Sequence, residues 1–155
     1  MANRPQASLE MRRYAEVELR CACGNLRRAA RVITQFYDRS LRPSGLKTTQ
    51  FGLLLAIGKL GPVPMTRLAR ESLLDRTTCT RNLRVLEQSS LIACEPVEDR
   101  RVKRIVLTAK GRQALGKAMP LWEKAQDHVI GKFGQERIDH LLRELSRVAS
   151  VTKKG

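Results

Sequence analysis

The sequence reads as a mainly α-helical chain with one small β-hairpin, and two patterns carry that reading. Apolar residues recur at three- and four-residue spacings over most of the 155 positions, the period of helices with one buried face. Only the runs 91–97 and 102–107, on either side of the charged tip Glu98-Asp99-Arg100-Arg101, have strand-like composition. A chain of 155 residues can enclose one core and is short for two ordinary enzyme domains.

Taken in order, Tyr14, Val17, Leu19, Leu26, Ile33, Phe36, Tyr37 and Leu41 predict a long helix from about Leu9, broken near Gly24 and closed by Arg42-Pro43-Ser44-Gly45. The apolar stretch 49–57 predicts a buried helix that stops at Gly61-Pro62, where glycine suits the cap and proline lacks an amide hydrogen. Pro64 opens a short helix through Glu71, and Ser72-Leu73-Leu74 leads to Asp75, a residue suited to cap a helix beginning at Arg76. On that helix, which runs to about Ser89, Cys79, Leu83 and Leu86 fall on one side, Thr77, Arg81, Arg84 and Gln88 opposite, and Thr80 on the flank. After the hairpin, Thr108-Ala109-Lys110-Gly111 opens a helix to about Lys132. Phe133-Gly134 then separates it from a last amphipathic helix, 135–148, with Ile138, Leu141, Leu142, Leu145 and Val148 on one stripe, and Thr152 onward reads as a loose tail.

Thirty Lys and Arg against fifteen Asp and Glu leave a formal net charge of +15. The excess is distributed, at +6 over 1–47, +1 over 48–61, +4 over 62–111 and +4 over 112–155. Such a field attracts polyanions and makes nucleic acid the leading partner, while an apolar share of 42% argues against a disordered basic tail. No apolar run reaches the length of a membrane span, and the polar start Met1-Ala2-Asn3-Arg4-Pro5 does not resemble a signal peptide, so a cytoplasmic location and no membrane partner are expected. The sequence contains no GxSxG, HExxH or phosphate-loop pattern, and no catalytic residue, cofactor or enzyme activity is expected. Cys21 and Cys23 with His128 and His140 lie at no metal-binding spacing, so no metal site is expected either.

Two helices joined by a tight turn, the second carrying an arginine-bearing outer face and followed at once by a basic-tipped hairpin, make a winged helix-turn-helix. The second helix of that unit enters the major groove of double-stranded DNA, where each base pair shows a distinct donor and acceptor pattern; the hairpin tip reaches the minor groove. The alternative that charge serves equally well is a non-specific or architectural nucleic-acid binder.

The stretch 65–111 resembles the MarR family of bacterial transcription regulators. The resemblance rests on Leu68-Ala69, Leu74-Asp75-Arg76-Thr77-Thr78-Cys79-Thr80-Arg81, Leu86-Glu87, Leu91-Ile92, Asp99-Arg100-Arg101 and Leu107-Thr108 with Gly111, in the family's order. It implies a homodimer on a pseudo-palindromic operator, repressing more often than activating, and hence nucleoid-associated in a bacterial cytoplasm. It further implies a division into an N-terminal dimerisation helix region (1–47), a DNA-binding lobe (48–111) and C-terminal dimerisation helices (112–155). Carried over by position, the helix from Arg76 is the recognition helix. Arg76, Thr77, Thr78, Thr80, Arg81 and Arg84 become DNA contacts, Arg101 the wing arginine, Asp99 its orienter, and Arg100, Lys103 and Arg104 phosphate contacts.

The resemblance also implies a trigger. Cys23 stands where the organic-hydroperoxide-sensing OhrR branch has its peroxidatic cysteine, and Tyr37 matches one of that branch's two supporting tyrosines, with Thr48 in place of the other. Cys21 is the companion candidate, and Arg20, Arg27 and Arg28 supply positive charge that favours a thiolate. The competing reading is that Cys23 simply packs as a small apolar residue. If it does, the family's pocket implies a small phenolic or apolar anionic effector, with Phe36, Phe51 and Trp122 as candidate lining residues that core packing explains equally well.

Overall fold

The protein is described from a computed structural model covering the backbone of residues 4–96 and 103–152 and the side chains of 9–95 and 104–151. The wing-tip residues Asp99, Arg100 and Arg101, the Lys103 side chain and the tail 153–155 therefore lie outside the described residues. The chain divides into two compact units, Met1–Tyr37 and Asp38–Gly155.

The first unit holds α1 (Arg4–Arg20) and most of α2 (Ala22–Leu41). The expected break is present but falls at Cys21, three residues before Gly24. Gly24 is not its cause, since a Cβ there would meet only Cys21 at an ordinary 3.6 Å. A side-chain amide serves the carbonyls at this joint: Asn25 Nδ2 donates to the carbonyl oxygens of Leu19 (3.0 Å) and Cys21 (2.9 Å), the latter also accepting the Asn25 amide at 3.0 Å. Arg28 reinforces the joint, reaching the Glu18 carboxylate at 2.6 Å and the Glu18 carbonyl at 3.0 Å. Cys21 Sγ accepts the Gly24 amide at 3.3 Å, standing in for the usual oxygen of a helix N-cap.

The second unit contains the core. A short 3-10 turn (Arg42–Ser44) ends in Gly45, whose φ of 77° is the left-handed conformation glycine accepts without penalty. Asp38 Oδ1 then takes the Thr48 amide at 2.7 Å and fixes the start of α3 (Thr48–Leu60). That bond holds the Asp38 carboxyl below its ordinary pKa. As expected, α3 is strongly buried, through Phe51, Leu53, Leu54 and Ile57, and ends at Gly61.

Next come α4 (Met65–Glu71) and α5 (Arg76–Gln88), then β2 (Ile92–Pro96) and β3 (Lys103–Leu107), paired antiparallel with Cys94 opposite Ile105. Read as a hairpin alone, the sheet has a third strand, β1 (Val63–Pro64), which pairs with β3 through Val63 and Ile105 and gives the order β1-β3-β2. Long α6 (Ala109–Phe133) follows, with Thr108 Oγ1 accepting the Gly111 amide at 2.9 Å as its N-cap. Gly111 is obligatory, because a Cβ there would run into the carbonyl oxygen of Leu91. The last helix, α7 (Gln135–Thr152), begins after Gly134 and runs four residues past Val148, so Thr152 is helical rather than part of a tail.

Leu41, Leu54, Leu68 and Leu86 are fully enclosed, and Phe51 stacks on Trp122 with ring centroids 6.3 Å apart. Among the described residues no helix is long and apolar enough to cross a membrane.

Candidate nucleic-acid interface

The turn between α4 and α5 is built from backbone bonds that leave little freedom. Leu74 N donates to the Ala69 carbonyl at 2.9 Å and Ser72 N to that of Leu68 at 2.9 Å, the pattern of a helix closed through a left-handed residue. The left-handed residue is Leu73, at φ 53°, not glycine. Asp75 then starts α5 as the sequence predicts, its carboxylate accepting the Thr78 amide at 2.8 Å. The hydroxyl and amide of Thr78 together hold the Asp75 carboxyl below its ordinary pKa.

Locked at that end, α5 is locked laterally by Cys79, Leu83 and Leu86, all buried in the core. Burial pushes the Cys79 thiol pKa up, which suits a packing residue and not a reactive one. The inward face fixes the outward one. Arg76, Thr77, Thr80, Arg81 and Arg84 line a single shallow depression of about 400 Å³, an i, i+3, i+4, i+7 stripe from Thr77 joined by the first residue of the helix. Thr78, placed in the same set by sequence, sits half-buried outside that depression.

Carboxylates engage some of the arginines among the described residues but none on this face. Arg20, Arg28, Arg70 and Arg147 each have a carboxylate partner, at 3.0, 2.6, 3.7 and 2.9 Å. Among the described residues no ion pair or hydrogen bond engages the guanidinium groups of Arg76, Arg81 or Arg84. Arg104 lies exposed on β3 beside this lobe's sheet, opposite Glu95 in register.

The remaining candidates fall elsewhere. Cys21 and Cys23 are exposed thiols at the α1–α2 joint, and Cys94 is an exposed thiol on β2. Tyr37 meets Phe36 edge-on at 5.5 Å and is half-buried, which raises its hydroxyl pKa. The structure does not bring Cys23 and Tyr37 together within one chain, because fourteen residues of α2 set them about 21 Å apart along the helix. Phe51 and Trp122 belong to the core of the second unit. Among the described residues no group of His, Cys, Asp and Glu could hold a metal ion. Sequence reasoning missed one contact at the α5 face: Met65, the first residue of α4, places its sulfur 3.4 Å from Thr80 Oγ1.

A helix-turn-helix with a free cationic outer face, backed by a three-stranded sheet, defines a winged helix-turn-helix protein. Residues 44–104 match the MarR family. The MosR transcriptional regulator of M. tuberculosis, solved in complex with DNA, is 44% identical over 85% of this chain and 98% of its own, with a TM-score of 0.75. The transcriptional repressor CouR, solved on a 23-mer DNA duplex, is 27% identical over 85% of this chain and 95% of its own, with a TM-score of 0.77. The HTH-type transcriptional regulator YwoH of Bacillus subtilis (strain 168) is 24% identical over 121 residues, 76% of this chain and 88% of that relative. The chain belongs to the MarR family of winged-helix transcriptional regulators.

Proposed function

We propose that this regulator acts as a homodimer that represses transcription by seating α5 of each protomer in the major groove of a pseudo-palindromic operator. The observation that carries this reading is the α5 depression, where Arg76, Thr77, Thr80, Arg81 and Arg84 converge on a surface with three unengaged guanidinium groups. A helix of about 10–12 Å diameter suits a groove about 12 Å wide, and arginine in such a place pairs bidentately with guanine. Arg104, with Lys103, Arg100 and an Asp99-steadied Arg101 at the tip, supplies phosphate and minor-groove contacts. The relatives solved on DNA support the same use of the fold.

In this reading residues 48–111 bind DNA, while 1–47 and 112–155 make the dimer. Leu9, Tyr14, Val17 and Leu19 in the first unit, and Leu141, Leu142, Leu145 and Val148 on α7, are apolar side chains left at the surface, as expected of helices that cover one another across two protomers. The protein works at the nucleoid of a bacterial cytoplasm and carries out no catalysis. Its trigger is oxidation of Cys23: the thiolate attacks the peroxide oxygen of an organic hydroperoxide, forming a sulfenic acid and releasing the alcohol. Exposure of both Cys21 and Cys23 supports that access.

The test is selection of bound duplexes from a random pool by reduced and by hydroperoxide-treated protein. A palindromic motif from the reduced protein alone, restored to the treated sample by Cys23→Ser, is the expected result. The same motif in both arms would replace the thiol trigger with a small apolar anion. No motif in either arm would overturn the repressor reading in favour of an architectural binder.

A further inference from the structure

The two threonines of the α5 face are not equivalent. The Thr77 hydroxyl has no hydrogen-bond partner among the described residues, so it is free to donate or accept. The single proton of the Thr80 hydroxyl is already used. Oγ1 donates to the Arg76 carbonyl one turn back at 2.8 Å, and it lies 3.4 Å from Met65 Sδ, the sulfur of the first residue of α4. A hydroxyl carries one proton, and both groups placed to receive it are protein atoms, so what Oγ1 retains is its lone pairs, on an oxygen turned toward the helix backbone and α4. Met65 is itself held, packed half-buried against the core cluster, so the sulfur is a fixed wall beside Oγ1 and not a passing contact. Thr80 nevertheless remains an exposed residue on the rim of the depression. With Oγ1 turned toward the helix backbone and α4, the remaining heavy substituent on Cβ is the γ-methyl group.

We infer that Thr80 is a specificity-determining residue that reads the 5-methyl group of thymine, through its own methyl group and not through its hydroxyl, with Arg76 O and Met65 Sδ fixing that orientation. The major groove shows one apolar feature, the thymine methyl, and an aliphatic group presented from the recognition helix is its complement. The operator should therefore contain one thymine per half-site whose methyl group matters. The inference rests on the reading of α5 as the groove-facing helix.

The test uses the reduced full-length protein and the duplex it selects from a random pool, with each thymine of the half-site replaced in turn by uracil, which removes only the methyl group. At one position the wild type should bind the uracil duplex about fourfold more weakly, the loss expected for one buried methyl group. Thr80→Ser, which keeps the hydroxyl and drops the methyl, should bind the thymine and uracil duplexes equally. Thr80→Val, which keeps a methyl and drops the hydroxyl, should retain the wild-type preference. A selected motif without any position at which Thr80→Ser abolishes the methyl effect would overturn the inference and leave the α5 reading standing, as would loss of the preference in Thr80→Val. Failure to select any motif would overturn both.

Discussion

The helices of the first unit and the reading face of α5 are both unsatisfied surfaces, of opposite kinds. On α1, Leu9, Tyr14, Val17 and Leu19 are all more than 60% exposed, and two of the unit's arginines, Arg20 on α1 and Arg28 on α2, are paired with Glu16 and Glu18. On α5 Cys79, Leu83 and Leu86 are buried, Val85 is half-exposed, and among the described residues Arg76, Arg81 and Arg84 have no carboxylate partner. An apolar side chain left in water loses roughly 25 cal/mol per Å² that burial would recover, whereas an unpaired guanidinium group is comfortable in water and gains only when an anion arrives. The first surface therefore calls for a second apolar surface and the second for phosphates and base edges. That distinction supports the proposed division of assembly and recognition between two parts of the chain, and mutations should separate them.

The largest effect belongs to the core that holds α5 in place. Leu68→Ala empties a fully buried site on α4 and should cost about 3 kcal/mol of unfolding free energy in urea, with DNA binding lost only as the fold is lost. On the reading face Arg81→Ala should leave stability unchanged and cost about 2 kcal/mol of binding at particular base pairs, so that selected duplexes lose preference there. Arg104→Ala should weaken all duplexes alike and flatten the salt dependence. Uniform weakening by Arg81→Ala would break the assignment of α5. In the first unit, Val17→Lys should raise the dimer dissociation constant roughly tenfold by sedimentation, equivalent to about 1.4 kcal/mol, with the lobe's own unfolding undisturbed. A monomer–dimer balance unmoved by this change would remove α1 from the interface.

The same contrast explains what the sequence made visible. The faces of α5 follow from its own period and from Asp75, all within fourteen residues, so the sequence alone places Cys79, Leu83 and Leu86 inward and Thr77, Arg81 and Arg84 outward. Gly111 was legible as a motif, although its reason, the Leu91 carbonyl pressed against it, is a contact across twenty residues. Strand β1 was not legible, because two residues ending in proline become a strand only through pairing with Ile105 and Arg104, some forty residues away. Propensity predicts the helix break near Gly24, whereas it falls at Cys21, where the side chains of Asn25 and Arg28 bond the Leu19 and Glu18 carbonyls. Within one chain Cys23 and Tyr37 stand about 21 Å apart on α2, so order along the helix places them on one element without bringing them into contact.

The smallest effect probes the joint where α3 starts. Asp38 accepts the Thr48 amide, and that bond lowers its carboxyl pKa below the ordinary value of 3.8. A carboxyl whose folded pKa is depressed contributes stability that is fully present above its unfolded pKa and fades as pH falls through the folded value. Asp38→Asn keeps an acceptor for the Thr48 amide but removes the charge. The melting temperature of the wild type should therefore exceed that of the variant by a small, constant margin from pH 7 down to about 5, and the margin should shrink below pH 4. A margin that grew on acidification would mean that the carboxylate opposes folding, and the start of α3 would then be held by its buried apolar face alone.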